Sequence, residues 1–288
     1  EALRHKPGET ALDALKRRVA ELATQPLDPS RPLWQFHLVE DLDGAQSAMI
    51  CRIHHCIGDG IALTSVTLSI ADGGKPPPRA SPEGRHDGAH DGLAETLIKS
   101  LADLATHGAQ VGVQIAQDAA ALALMADDSP TRLKGKATPG KRVAWGEPLP
   151  LDEVKAVGKA YGVSINDVLL AAVAGAIGGY LRSKGDDPTG QEIRAMVPVN
   201  LRPLDQAHEL GNRFGLAPLV LPIGMAHPGE RLYAVHERMN ALKGSYQPLL
   251  AFALLALSGL VVKSMQDVII GLFAKKATAV LTNVPGPR

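Results

Sequence analysis

Cysteine is nearly missing from this 288-residue chain, which holds only Cys51 and Cys56. Two thiols five positions apart cannot build a secreted disulfide framework, so a reducing, cytoplasmic compartment fits better. Net charge is missing as well: thirty basic and thirty acidic residues cancel. No block of like charge occurs, which removes the bulk electrostatics that gather polyanions, and no nucleic-acid partner is expected. Long apolar runs are scarce. The most lipid-like stretch, "PLLAFALLALSGLVV" from Pro248 to Val262, falls short of the roughly 20 residues of a membrane-spanning helix and reads as a buried or interfacial one. There is no basic-then-apolar leader, and the opening "EALRHKPGETALDALKRRVAELA" reads like the interior of a larger protein. No repeat of fixed period is present.

What is present reads as strands mixed with helices of unequal length. Leu12, Leu15, Val19 and Leu22 mark one face of a helix over Leu12 to Ala23. Trp34 to Leu38 and Met49 to Ile53 alternate apolar with polar residues around an Asp43-Gly44 turn signal, predicting a hairpin. A helix over Ile61 to Asp72 follows. The stretch from Gly73 to Gly92 contains no large apolar residue and reads as a linker. Further helices are expected over Leu93 to Met125, from Leu151 to a stop at Gly162, from a Ser164/Asp167 capping box, over Gly229 to Lys243, and over Pro248 to Phe273. The Ser164 helix is apolar almost all round, which predicts full burial. Short strands are expected near Val143 and over Ile193 to Val199, Leu216 to Ile223 and Ala277 to Val284. Without regular βα alternation, the fold class is α+β, in two domains of residues 1–183 and 190–288 with the linker at 73–92 inside the first.

The chemistry concentrates in "RIHHCIGDG", Arg52 to Gly60. If the strand keeps its period of two through the histidines, His54 and His55 point to opposite faces. His55 then continues the face of Met49, Cys51 and Ile53, where a partly desolvated neutral imidazole could take a proton from a bound hydroxyl. The same divergence argues against a metal held by His54, His55 and Asp59. Asp59 closes the turn, with an arginine as its expected partner, and Gly60 lets the backbone bend. Cys56 reads as a small packed thiol, not a nucleophile. Asn212 and Asn283 read as turn residues.

His54-His55-Cys56-Ile57-Gly58-Asp59-Gly60 matches HHxxxDG, and with "PLW" at Pro32, "NDVLLAAVAGAI" at Asn166, "VPVNLRP" at Val197, "GNRFG" at Gly211 and "TNVPGP" at Thr282 the chain resembles the bacterial wax ester synthase/diacylglycerol acyltransferases. That family lies within the HHxxxDG CoA-dependent acyltransferases. The resemblance implies two chloramphenicol-acetyltransferase-like sandwich halves with a tunnel between them, the second half incomplete here. It implies long-chain acyl-CoA as a substrate, with no cofactor and no metal, and diacylglycerol or a fatty alcohol as acceptor. His55 would be the general base, His54 a supporting residue, Asp59 and Gly60 structural, and Asn166 a positioning residue. The inner membrane or a lipid inclusion becomes a surface on which such a protein can rest. The rival readings are a condensation-type HHxxxDG acyltransferase with a non-lipid acceptor, and an inactive module that binds lipid. His54 to Asp59 also satisfies the His-x-x-x-x-Asp pattern of glycerol-phosphate acyltransferases, but "SPEGRH" at Ser81, the element that would accompany it, lies too close along the chain.

Overall fold

The computed structural model describes residues 2–40, 42, 46–70, 109–135, 138–201, 211–259 and 263–284. The chain divides into two compact units, residues 1–58 with 135–149, and residues 59–134 with 150–288. Within the second unit the helix ending at Ser183 packs in one core with the strand that opens at Ile193. The expected linker at 73–92 and the first half of the helix expected from Leu93 lie outside the described residues.

The first unit opens with α1, Ala11–Thr24, capped by the Thr10 side chain, which accepts the Asp13 N–H at 3.1 Å. Its buried positions Ala14, Leu15 and Leu22 recur at helical spacing. Arg17, on the same helix, donates to Glu9 at 2.9 Å and holds that carboxyl down to about 2. β1, Trp34–Val39, and β2, Ala48–Ile53, form an antiparallel hairpin with Trp34 opposite Ile53 and Val39 opposite Ala48. Its apolar row faces outward: Trp34, Phe36, Leu38 and Met49 are all exposed, while Val39 is fully buried. Arg52 lies across from Gln35 and donates to it at 2.7 Å and to the Gln25 carbonyl. The segment 135–149 joins this unit, where the Lys16 ammonium stands 5.4 Å from the Trp145 ring centre. No strand forms near Val143.

The second unit contains α2 (Gly60–Ile70), α3 (Ala109–Ala123), α4 (Leu151–Tyr161), α5 (Ile165–Ser183), β3 (Ile193–Asn200), β4 (Phe214–Leu221), α6 (Pro228–Lys243), α7 (Gln247–Ser258), α8 (Lys263–Lys276) and the two-residue β5 (Ala279–Val280). The sheet order is β4-β3-β5, antiparallel between β3 and β4 and parallel between β3 and β5. The interior is aliphatic: Leu170, Ala174 and Leu181 of α5 meet Ile193 and Val197 of β3, Leu219 and Leu221 of β4, and Val235 and Met239 of α6. Each fully buried Leu or Ile here contributes about 1.5–3 kcal/mol. Gly162 stops α4 where the sequence predicted, at φ +68 in the left-handed conformation open to glycine.

The α5 capping box is formed: the Ser164 hydroxyl accepts the Asp167 N–H at 3.2 Å and Asp167 accepts the Ser164 N–H at 2.9 Å. Full burial of this helix is not observed. Leu170, Ala171, Ala174, Gly178 and Leu181 form a buried stripe, and Ala172, Ala176, Gly179 and Tyr180 stay exposed, because core lies on one side only. Two glycines allow backbone to approach backbone. A β-carbon on Gly178 would stand 2.1 Å from the Ile223 carbonyl oxygen, and one on Gly215 would stand 1.9 Å from that of Pro248. The second contact seats α7 on β4. The single helix expected from Pro248 to Phe273 is two helices, interrupted around Gly259, whose N–H closes onto the Leu255 and Ala256 carbonyls.

Candidate functional site

HHxxxDG crosses the division between the units at Gly58–Asp59. On the first side, β2 stops at Ile53 and both histidines lie in the turn beyond it. The His54 N–H still donates to the Leu33 carbonyl at 2.9 Å, and the His54 carbonyl accepts the Ile57 N–H at 3.1 Å. The His54 Nδ1 accepts the Cys56 N–H at 3.2 Å. A neutral ring accepting at Nδ1 carries its proton on Nε2, so His54 serves the turn as an acceptor.

Strand alternation therefore does not orient His55, because the period of two ends before the histidines are reached. The outward side of the hairpin is also its apolar side, so continuing the Met49 face would not lead to an interior. His54, His55 and Cys56 are all exposed. Cys56 is thus not the packed thiol expected. Cys51, half-buried in β2, is the shielded one, and burial pushes its thiol pKa up, away from reactivity.

On the second side, Asp59 is buried at 8% exposure and caps α2: its Oδ1 accepts the Ala62 N–H at 3.1 Å. Its Oδ2 accepts the backbone N–H of Arg213 at 3.4 Å, and its own N–H donates to the Gly211 carbonyl at 3.2 Å. Both of these contacts are to the main chain of the GNRFG segment. Gly211 sits at φ +111, a backbone region open to glycine. Gly60 opens α2, and a β-carbon there would lie 3.3 Å from the Val284 Cγ2. The ends of three sequence motifs, HHxxxDG, GNRFG and TNVPGP, thus converge on Asp59 and Gly60.

Asn166 lies half-buried in the first turn of α5, beside Asp167, which is fully buried. The Asp167 Oδ2 accepts from His236 Nδ1 at 2.8 Å, and His236 Nε2 stands 2.9 Å from the Asn240 side-chain nitrogen. An ionised carboxylate only accepts, so the His236 proton sits on Nδ1 and Nε2 accepts from Asn240. Burial pushes the Asp167 carboxyl up, and the hydrogen bonds from His236 and Ser164 outweigh it, so the group titrates below the ordinary carboxylate range. The sequence marked Asp167 as a helix-start residue; nothing in "AVHERMN" set His236 apart from a solvated helical histidine.

The family model described as the wax ester synthase/diacylglycerol acyltransferase catalytic domain matches residues 3–169, and that of the WS/DGAT C-terminal domain matches residues 210–288. A Mycobacterium tuberculosis protein named "Probable diacyglycerol O-acyltransferase tgs1" is 29% identical over 98% of this chain and 63% of its own length. The solved wax ester synthase/diacylglycerol acyltransferase of Marinobacter aquaeolei VT8 is 25% identical at a TM-score of 0.58, over 99% of this chain and 61% of that one. The first condensation domain of a calcium-dependent antibiotic synthetase aligns at 19% identity and a TM-score of 0.51, over 84% of this chain and 54% of that one, a likeness of fold. The chain spans about three fifths of the length of the curated relative and of the Marinobacter enzyme.

Proposed function

The chain belongs to the wax ester synthase/diacylglycerol acyltransferase family, and from that premise we propose that the protein is an acyl-CoA-dependent O-acyltransferase with His55 as general base. Its acceptors are diacylglycerol, long-chain fatty alcohols or both, and its products triacylglycerol and wax esters. The observation that carries the reading is the match of the catalytic-domain model over residues 3–169, which encloses the whole of HHxxxDG. The naming of the curated relatives for diacylglycerol acylation supports the choice of acceptor.

In this reading the acceptor hydroxyl gives its proton to the His55 imidazole as its oxygen attacks the thioester carbonyl of acyl-CoA. The tetrahedral oxyanion collapses, the carbon–sulfur bond breaks, and the proton passes from His55 to the departing thiolate. No acyl-enzyme forms, acyl-CoA is consumed as a substrate, and no resident cofactor or metal is used. His54, by accepting the Cys56 N–H, fixes the turn on which His55 sits. Asp59 and Gly60 are structural, and Asn166 helps position groups at the reacting carbonyl. The protein is cytoplasmic and works at the inner membrane or on lipid inclusions, where such acceptors collect.

The test is to purify the protein and His55→Ala, supply long-chain acyl-CoA with dioleoylglycerol or hexadecanol, and follow ester and free CoA. Loss of turnover by about a hundredfold or more in His55→Ala is expected of a general base; equal turnover by both removes His55 from that role. Preference for short polar acceptors would move the protein to the condensation type, and acyl-CoA binding without ester would make it a lipid-binding module.

A further inference from the structure

β5 pairs with β3 through two residues only, Ala279 opposite Ala195 and Val280 opposite Met196. Two pairings specify register weakly, since strands usually run 3–10 residues and a slip by one turns every side chain to the other face. The chain runs from β5 directly through Leu281, Thr282 and Asn283 to Val284, which packs at Gly60. An error of register at β5 would therefore displace Val284 from the end of HHxxxDG. Something beyond the two-residue ladder must fix it.

That something is a polar knot centred on Asp128, buried at 8% exposure in an irregular stretch after α3. Its Oδ1 accepts the N–H of Arg194 in β3 at 2.9 Å, and its Oδ2 accepts the hydroxyl of Thr278 at 2.5 Å. Its own N–H donates to the Lys275 carbonyl at 3.0 Å. One carboxylate thus grips both strands at the point where their pairing begins. The Thr278 N–H donates to the Arg194 carbonyl at 2.8 Å and the Leu281 N–H to the Met196 carbonyl at 3.0 Å, extending the ladder at either end. The Lys134 ammonium gathers the Ala274, Lys275 and Ala277 carbonyls at 3.2, 2.9 and 2.7 Å, closing the C-terminal end of α8 just before β5.

We propose that Asp128 is a positioning residue for acyl transfer: through Arg194 and Thr278 it sets the register of β5 and so holds the 282–284 segment at the Asp59–Gly60 end of HHxxxDG. The inference rests on the acyltransferase reading above. It concerns a residue far from the motifs in sequence, one that touches neither substrate nor the reacting atoms.

Three variants test it: Asp128→Ala, Asp128→Asn and Asp128→Asn with Thr278→Val. In Asp128→Asn the amide oxygen keeps the Arg194 N–H, and the amide nitrogen donates to Thr278, whose hydroxyl can turn to accept. Adding Thr278→Val leaves that nitrogen facing a methyl group. Two readouts are taken well below each variant's melting temperature: hydrogen exchange at the Thr278 and Leu281 amides, and kcat with KM for acyl-CoA. Asp128→Ala and the double variant should exchange about tenfold faster at both amides and lose about tenfold in kcat with KM within about threefold, a loss that, in variants still fully folded at the assay temperature, does not come from a smaller folded fraction. Asp128→Asn should recover to within about threefold. Unchanged exchange in Asp128→Ala, or faster exchange with undiminished kcat, overturns the proposal. If the unsubstituted protein forms no ester from either acceptor, the acyltransferase reading fails, and the exchange rates alone decide whether Asp128 sets the register.

Discussion

His236 grips a carboxylate that water does not reach: its Nδ1 lies 2.8 Å from the Oδ2 of fully buried Asp167, tying α6 to the first turn of α5. Because the folded pKa of Asp167 lies below its unfolded value, the stabilisation is present above the unfolded carboxylate value of about 3.9 and is lost as pH falls through the folded one. Asp167→Asn should cost about 1–3 kcal/mol in urea unfolding at pH 7. The gap to the unsubstituted protein should shrink below about pH 4, where the unfolded chain begins to bind a proton that the native carboxylate still excludes. A gap that is constant from pH 7 to pH 3 would mean that the carboxylate charge contributes nothing.

Neighbouring glycines in α5 should respond with opposite signs. At Gly178 a β-carbon meets the Ile223 carbonyl at 2.1 Å, whereas at Gly179 it meets nothing within 4 Å. Gly179→Ala should stabilise by about 0.5–1 kcal/mol through helix propensity. Gly178→Ala gains the same propensity but must push α5 off the loop, so a net loss of about 1–3 kcal/mol is expected. Thermal or denaturant melts of the two variants give the comparison directly; a stabilised Gly178→Ala would show that the loop yields freely.

Gly60 and Val284 should couple. Gly60→Ala introduces a methyl group 3.3 Å from the Val284 Cγ2, and Val284→Ala removes the obstacle. A double-mutant cycle should return about 0.5–1 kcal/mol of coupling, the double variant being more stable than the sum of the singles. Additive singles would show that the two motifs do not press on each other in solution.

Asp59 separates an architectural from a proton-transfer role. Asparagine caps a helix about as well as aspartate, so Asp59→Asn should keep most of the stability and most of the ester formation. Asp59→Ala strands the Ala62 and Arg213 N–H groups and should cost about 2 kcal/mol or more. Loss of turnover by about a hundredfold in a folded Asp59→Asn would place the carboxylate in the chemistry.

Element types were legible wherever a period was long enough to read. The α5 capping box, the Gly162 stop and the β1–β2 hairpin all follow from local patterns that tertiary contacts reinforce. Burial was less legible. α5 is apolar on nearly every side, yet its exposed positions are alanine and glycine, which cost little in water, so composition could not say which face meets the core. Strand alternation singles out His55 only if the period of two is carried past the point where the strand ends; a turn residue has no strand face, and the family motif is what supports the choice. Asp128 and His236 gave no signal, because each acts on groups far along the chain, Thr278 and Asp167, and long-range hydrogen bonds leave no periodicity.

The chain leaves its first unit at Gly58, returns to it at Gly135 and leaves again at Leu149. The two units therefore cannot be inherited, exchanged or expressed as consecutive halves. A chimera joined at one point between relatives would give one unit a 15-residue segment of foreign parentage, with Trp145 facing a lysine it did not evolve beside. Three junctions, not one, are the smallest recombination event that keeps both units whole.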